Sequence, residues 1–167
     1  MTGIGEIIGC DFVRENVDFL NQRILEDGLE NVRAVCCDAV EFSSHVGVEK
    51  CDFVIGIGVL QYLTSEEQLS GFAKCCSEIL NGGGKLILKH PLAFTESFVL
   101  DYFREDMETR YISKYHNLTD VMKYLEEDFE LLEISRTFTE GVVGERLSEI
   151  ERDPRARQMW IHLEKKK

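Results

Sequence analysis

The chain has 167 residues, enough for one domain with an ordinary buried core. Hydrophobic residues make up 44% and charged residues 30%, a globular balance that excludes intrinsic disorder. Net charge is −12, from 31 acids against 19 bases, so the surface repels phosphate backbones and general nucleic-acid binding is excluded.

No apolar run reaches the length of a membrane span, and the N-terminus lacks a basic segment followed by an apolar stretch. Neither membrane insertion nor secretion is expected. The six cysteines are Cys10, Cys36, Cys37, Cys51, Cys75 and Cys76, with no C-x-x-C pair among them. Free thiols in a reducing cytoplasm are expected in preference to zinc or disulfides. The closing Lys165-Lys166-Lys167 reads as a solvated tail.

Ile7-Ile8-Gly9-Cys10 predicts a short buried strand that ends on Asp11. Val13, Val17, Leu20 and Ile24 then recur at helical spacing, and Gly28 offers a left-handed stop. Val32 to Cys37 predicts a second strand, again ending on an acid, Asp38. After a short helical or irregular stretch, Asp52 to Ile57 predicts a third strand running into Gly58-Val59-Leu60.

Thr64 and Glu67 form a capping box for the clearest helix, whose stripe is Leu69, Phe72, Ala73, Cys76, Ile79 and Leu80. Asn81-Gly82-Gly83-Gly84 breaks it before a fourth strand at Lys85–Lys89. This alternation predicts a parallel sheet with helices on both faces.

Residues 91–116 carry many aromatic and charged side chains without a strong strand signal. Asn117 or Thr119 caps a helix through Leu125, and Phe129–Ile134 and Gln158–Leu163 alternate as two late strands. A charged helix is expected between them, at 143–152. The two late strands suggest an antiparallel pair at the sheet edge. A single domain over 1–167 is expected, with 1–91 as its ligand-binding part and 92–167 as the remainder.

Parallel strands place the loops after them on one rim, where open α/β sheets bind ligands. There Asp11 suits the two hydroxyls of a ribose, and Asp38 suits an exocyclic adenine amine. Phe12 and Val40 offer apolar surface to the ring, and glycine at Gly56 and Gly58 lets backbone approach a ligand. An acid after a strand is by itself more often a helix cap or a solvated turn, and it is the pair on successive strands that brings the ligand reading level.

From Gly5 to about Pro91 the sequence resembles the class I S-adenosylmethionine-dependent methyltransferases. The pieces that carry the resemblance are IIGCDFVRENVDFLNQR, LENVRAVCCDAVEF, CDFVIGIGVLQYLTSEEQL and LNGGGKLIL, in that order. It implies an α/β fold: a three-layer Rossmann-like sheet, mostly parallel, with an antiparallel closing pair. It also implies S-adenosylmethionine as cofactor, and the acceptor is expected to be a small molecule or a defined group of a larger partner.

By that resemblance Asp11 binds the ribose diol, Phe12 lies near the adenine, and Asp38 with the Ala39 backbone reads the adenine edge. Gly58, Val59 and Leu60 line the cofactor, while Gln61 and Tyr62 meet substrate. The family's first strand, with its glycine-rich turn, has no counterpart here. The chain is therefore expected to be N-terminally truncated and to bind the cofactor weakly.

On the substrate side, His90 is a candidate general base or a histidine bonded to a loop. Tyr111 and Tyr115, with Arg110 and His116, could cover a substrate or pack one face of a helix. No metal-ligand spacing is present, so no metal is expected. Two competing readings stand beside the methyltransferase. One is an NAD-dependent oxidoreductase, whose acidic strand end also selects ribose. The other is a non-catalytic subunit that dimerises or completes its sheet with a strand from a partner chain.

Overall fold

The first βαβ unit follows from its apolar runs. In the computed structural model, which describes residues 5–47, 49–105, 108–137 and 153–167, β1 (Ile7–Asp11) pairs parallel with β2 (Val32–Cys36), setting Asp11 opposite Cys36. Between them α1 (Arg14–Glu26) buries Val17 and Ile24. Asn21 clips the helix to β2: its amide donates to the Ala34 carbonyl at 3.1 Å, and its oxygen accepts the Ala34 N–H at 2.9 Å. Gly28 adopts φ +66 and stops the helix as expected. Leu20, predicted in the buried stripe, is instead 42% exposed.

After the short α2 (Phe42–His45), β3 (Cys51–Ile57) leads through a 3-10 turn at Leu60–Tyr62 into α3 (Glu66–Ile79). The cap falls one position later than predicted, on Ser65 and Gln68 in place of Thr64 and Glu67. The Ser65 hydroxyl accepts the Gln68 N–H at 3.2 Å. The Gln68 side-chain oxygen takes both the Ser65 N–H, at 3.1 Å, and the Thr64 N–H, at 2.9 Å. One amide oxygen thus satisfies the N–H groups of both Thr64 and Ser65.

β4 (Leu80–Ala93) contains the glycine triplet and pairs parallel with β3. Residues 91–116 were expected to lack strands, yet β5 (Phe98–Arg104) and β6 (Thr109–Tyr115) form an antiparallel hairpin there. Its inner face is Phe98, Leu100 and Tyr102 against Tyr115, Ser113 and Tyr111. Apolar Val99, Phe103 and Ile112 occupy the exposed outer face, which blurs the alternation that marks a strand.

α4 (Leu118–Leu125) is capped by Asn117, whose side-chain oxygen accepts the Asp120 N–H at 2.8 Å. The same amide donates to the Thr95 carbonyl at 2.9 Å. Asn117→Ala removes both bonds and is expected to cost about 1–2 kcal/mol, read as a shifted urea midpoint with unchanged slope. β8 (Ala156–Lys165) runs antiparallel between β4 and β7 (Phe129–Arg136), the predicted closing pair. The helix expected at 143–152 lies outside the described residues.

Hydrogen bonding divides the strands into β1-β2, β3-β4-β8-β7 and the hairpin β5-β6. One core joins the first two groups. Leu86, Leu88, Ile161 and Leu163 meet residues of α3 and α4, and Ile8 and Val35 of the smaller sheet pack against the same cluster. The expected continuous sheet is interrupted: among the described residues, β1 bonds only to β2 and β3 only to β4. The interruption leaves both strands with an open edge and sets the character of the site.

Candidate functional site

Asp11 closes β1, and Asp38 stands two residues beyond β2, so parallel pairing carries both acids to one rim. The Cys37 N–H donates to the Asp11 carbonyl at 3.0 Å and ties the two strand ends together. One Asp11 carboxylate oxygen accepts the Val13 N–H at 2.8 Å and the other the Asn16 amide at 3.4 Å. These bonds hold the carboxylate at the mouth of a recess of ≈ 140 Å³ lined by Gly9, Cys10, Val17 and Leu20 among others.

Asp38 does not line that recess. It is exposed, and its carboxylate accepts the Val40 N–H at 3.1 Å, the turn-capping role open to any strand-end acid. Phe12 is 71% exposed beside Asp11, and Ala39 is half-buried against the core. Cys10, Cys36, Cys37, Cys51, Cys75 and Cys76 are all free thiols, and Cys10 is exposed. Burial, with Cys10 close by, pushes the Cys37 thiol up to about 12, so it remains protonated.

Beyond β3, Gly58 takes φ +66, and its N–H donates to the Lys89 carbonyl at 3.0 Å. Val59 is half-buried on the core, and Leu60 and Gln61 are buried. The Gln61 amide donates to the Tyr111 hydroxyl at 3.3 Å. Tyr62 meets Tyr111 edge-on at 6.4 Å, and Tyr102, which sequence reasoning did not select, lies 5.2 Å from Tyr111.

Tyr111 and Tyr115 do share a face, but through strand alternation along β6 and not through helical spacing. Tyr115 is fully buried, stacks 5.3 Å from Phe98 and anchors a second small core with Ala93 and Ala156. Burial raises its phenol pKa. The structure therefore gathers Tyr62 and Tyr111 toward the surface of one cluster, with Gln61 buried against Tyr111, and leaves Tyr115 inside it. Arg110, on the outer face, pairs with Asp101 at 2.5 Å.

His90 is fully buried on β4. Its Nε2 accepts the His116 backbone N–H at 3.2 Å, which leaves the proton on Nδ1. Burial, with His116 adjacent, pushes its pKa down to about 3, so it is neutral and a poor proton acceptor near pH 7. His116 is buried too, with Nε2 3.2 Å from the Leu60 carbonyl and 3.0 Å from that of Leu63. It clamps the hairpin to the 3-10 turn. This pair spans 26 positions and had no local signal.

Residues 1–88 match the family model described as "Methyltransferase domain". The chain belongs to this family. None of the curated proteins compared with the chain matches it. Solved structures agree in fold. An S-adenosylmethionine-dependent methyltransferase from Clostridium acetobutylicum aligns at TM-score 0.65 and 14% identity, over 97% of this chain and 76% of that one. One from Methanosarcina mazei gives 0.70 and 14%, over 96% and 82%. The glycopeptide N-methyltransferase MtfA, complexed with S-adenosyl-L-homocysteine, gives 0.70 and 13%, over 96% and 73%. The architecture is thus the Rossmann-like methyltransferase fold.

Proposed function

We propose that the chain binds S-adenosylmethionine along the rim and directs its methyl group to a small acceptor. Asp11 accepts hydrogen bonds from the ribose hydroxyls, Phe12 lies on the adenine side, and Asp38 with the Ala39 N–H reads the adenine edge. Gly58, Val59 and Leu60 follow the cofactor, and Gln61, Tyr62 and Tyr111 face the acceptor. The observation that carries this reading is the Asp11 carboxylate, held at the tip of a parallel strand and lining a recess.

When bound, the cofactor supplies an electrophilic methyl on a sulfonium, and the chain's part is alignment. His90, neutral and buried, is not the base for this transfer. The ≈ 140 Å³ recess is below the roughly 300 Å³ at which small-molecule sites begin. It encloses the ribose end only, and affinity is correspondingly modest.

Titration calorimetry with S-adenosylhomocysteine tests this. A dissociation constant on the order of 100 μM is expected, weakened at least about tenfold in Asp11→Ala. Binding that survives Asp11→Ala unchanged, or that NADH displaces more readily than the nucleoside itself, overturns the reading.

A further inference from the structure

The 3-10 turn Leu60–Tyr62 carries residues for both halves of the proposed reaction. Leu60 follows the cofactor, and Gln61 and Tyr62 face the acceptor. Within the turn, the Tyr62 N–H donates to the Val59 carbonyl at 2.9 Å and the Leu63 N–H to that of Leu60 at 3.1 Å. Leu60 and Leu63 are buried in the core and fix how deep the turn sits. Apolar packing is non-directional, so it does not set the rotation that aims Gln61 and Tyr62.

Directed bonds set it, and the fully buried ones come from one side chain. His116 Nε2 lies 3.2 Å from the Leu60 carbonyl and 3.0 Å from that of Leu63. A ring nitrogen that faces two acceptors carries the proton, so it donates to both. β6 also meets the turn nearer the surface. There the Tyr111 hydroxyl accepts the Gln61 amide at 3.3 Å, and the Lys114 ammonium donates to the Thr64 carbonyl at 3.4 Å. Both are longer and closer to water, which competes with them.

His116 is itself fixed from the opposite side. Its backbone N–H donates to His90 Nε2 at 3.2 Å, and its carbonyl accepts the Ala93 N–H at 3.0 Å. Both partners belong to β4, so a single residue joins the main sheet to the turn that follows β3. Burial, and then Lys114, lowers the His116 pKa, so the ring is neutral near pH 7.

The structure assigns His116 as a positioning residue for methyl transfer. Through the Leu60 and Leu63 carbonyls it holds the turn where Leu60 meets the cofactor and Gln61 and Tyr62 meet the acceptor. The assignment rests on the cofactor reading above, and its test separates the two.

Amide hydrogen exchange needs no ligand. His116→Phe keeps a ring but loses the Nε2 proton, and its Tyr62 and Leu63 amides should exchange at least about tenfold faster. His116→Gln carries amide hydrogens at similar reach and should hold both rates within about threefold of the parent. By calorimetry, S-adenosylhomocysteine should bind about tenfold more weakly to His116→Phe and near the parent value to His116→Gln. Gly84→Ala, at the far end of β4, lowers stability without touching the turn and should leave this affinity unchanged.

Unchanged turn exchange or unchanged affinity in His116→Phe overturns the assignment. So does a His116→Gln protein as impaired as His116→Phe, or an equal loss of affinity in Gly84→Ala. Where circular dichroism finds His116→Phe unfolded, His116→Asn replaces it, because its amide falls short of the carbonyls. Loss of fold in both makes His116 a residue of the fold alone and also overturns the assignment. A parent chain that binds no S-adenosylhomocysteine defeats the cofactor reading instead, and the exchange rates then decide whether His116 sets the turn.

Discussion

Gly84→Ala is expected to destabilise the chain by about 3 kcal/mol, while alanine at the neighbouring glycines costs far less. Between the pairs Cys51–Leu80 and Phe53–Lys85, β3 advances two residues and β4 five. The surplus of β4 must fold into a bulge against β3. A Cβ on Gly84 would stand 2.9 Å from the Asn81 carbonyl oxygen and 3.2 Å from that of Asp52, with Leu80 Cδ2 at 3.0 Å. Two of these obstacles are backbone, and the Asn81 amide is itself fixed by its 2.9 Å bond to the Asp52 carboxylate.

The strand pairing must therefore shift to admit the methyl. Gly83 differs: its φ of +83 strains an L-residue, but nothing lies within 4 Å, so alanine there costs about 1 kcal/mol. At Gly82 the nearest atom is Lys167 Cα at 3.5 Å, ordinary contact, and the cost is under about 1 kcal/mol. Urea unfolding of the three variants ranks them. A Gly84→Ala protein within about 0.5 kcal/mol of the parent would show that the turn is not constrained as described.

The end of α3 at Asn81 and the three glycines was readable, but these residues form the bulged start of β4 where a turn ahead of it was expected. The apolar runs also revealed β1 to β4, although β4 continues past the expected end at His90-Pro91 to Ala93. The cap of α3 was misplaced by one residue because Thr64-x-x-Glu67 and Ser65-x-x-Gln68 fit one pattern. Only geometry shows that the Gln68 side chain reaches two N–H groups. The hairpin was hidden because Val99, Phe103 and Ile112 put apolar residues on its solvent face.

The division of the sheet was illegible in a stronger sense. Which strand edges bond to each other is not encoded in the periodicity of any one strand. At the site, strand-end acids brought Asp11 to the recess and Asp38 to the same rim, but could not distinguish a ligand contact from the cap that Asp38 makes on Val40. Tyr115 illustrates the opposite failure. Its sequence neighbours look like a polar cover, and only the packing of β6 on Ala93 and Ala156 makes it core.

The His90–His116 pair, invisible to any local pattern, carries the other large effect: stability should fall by about 2 kcal/mol between pH 6.5 and pH 5. The ordinary histidine value of 6.5 drops to about 3 for His90 in the folded chain, chiefly through burial and then through His116. Below pH 6.5 the unfolded chain therefore takes up a proton that the folded chain refuses. The contribution is whole above pH 6.5 and is lost steadily as pH falls toward 3, at about 1.4 kcal/mol per unit.

His116, lowered first by burial and then by Lys114, adds in the same direction. The acids with lowered values, Glu66, Glu67, Asp101 and Asp153, lose their contribution only at still lower pH and do not shape this window. His90→Gln retains an oxygen to accept the His116 N–H but cannot be protonated, so its stability should be lower overall yet flatter by about one proton across pH 5–6.5. Urea midpoints of the two proteins at each pH measure the slopes. If the parent and His90→Gln lines run parallel, His90 is not held neutral in the folded chain, and its role as a buried acceptor for His116 falls with it.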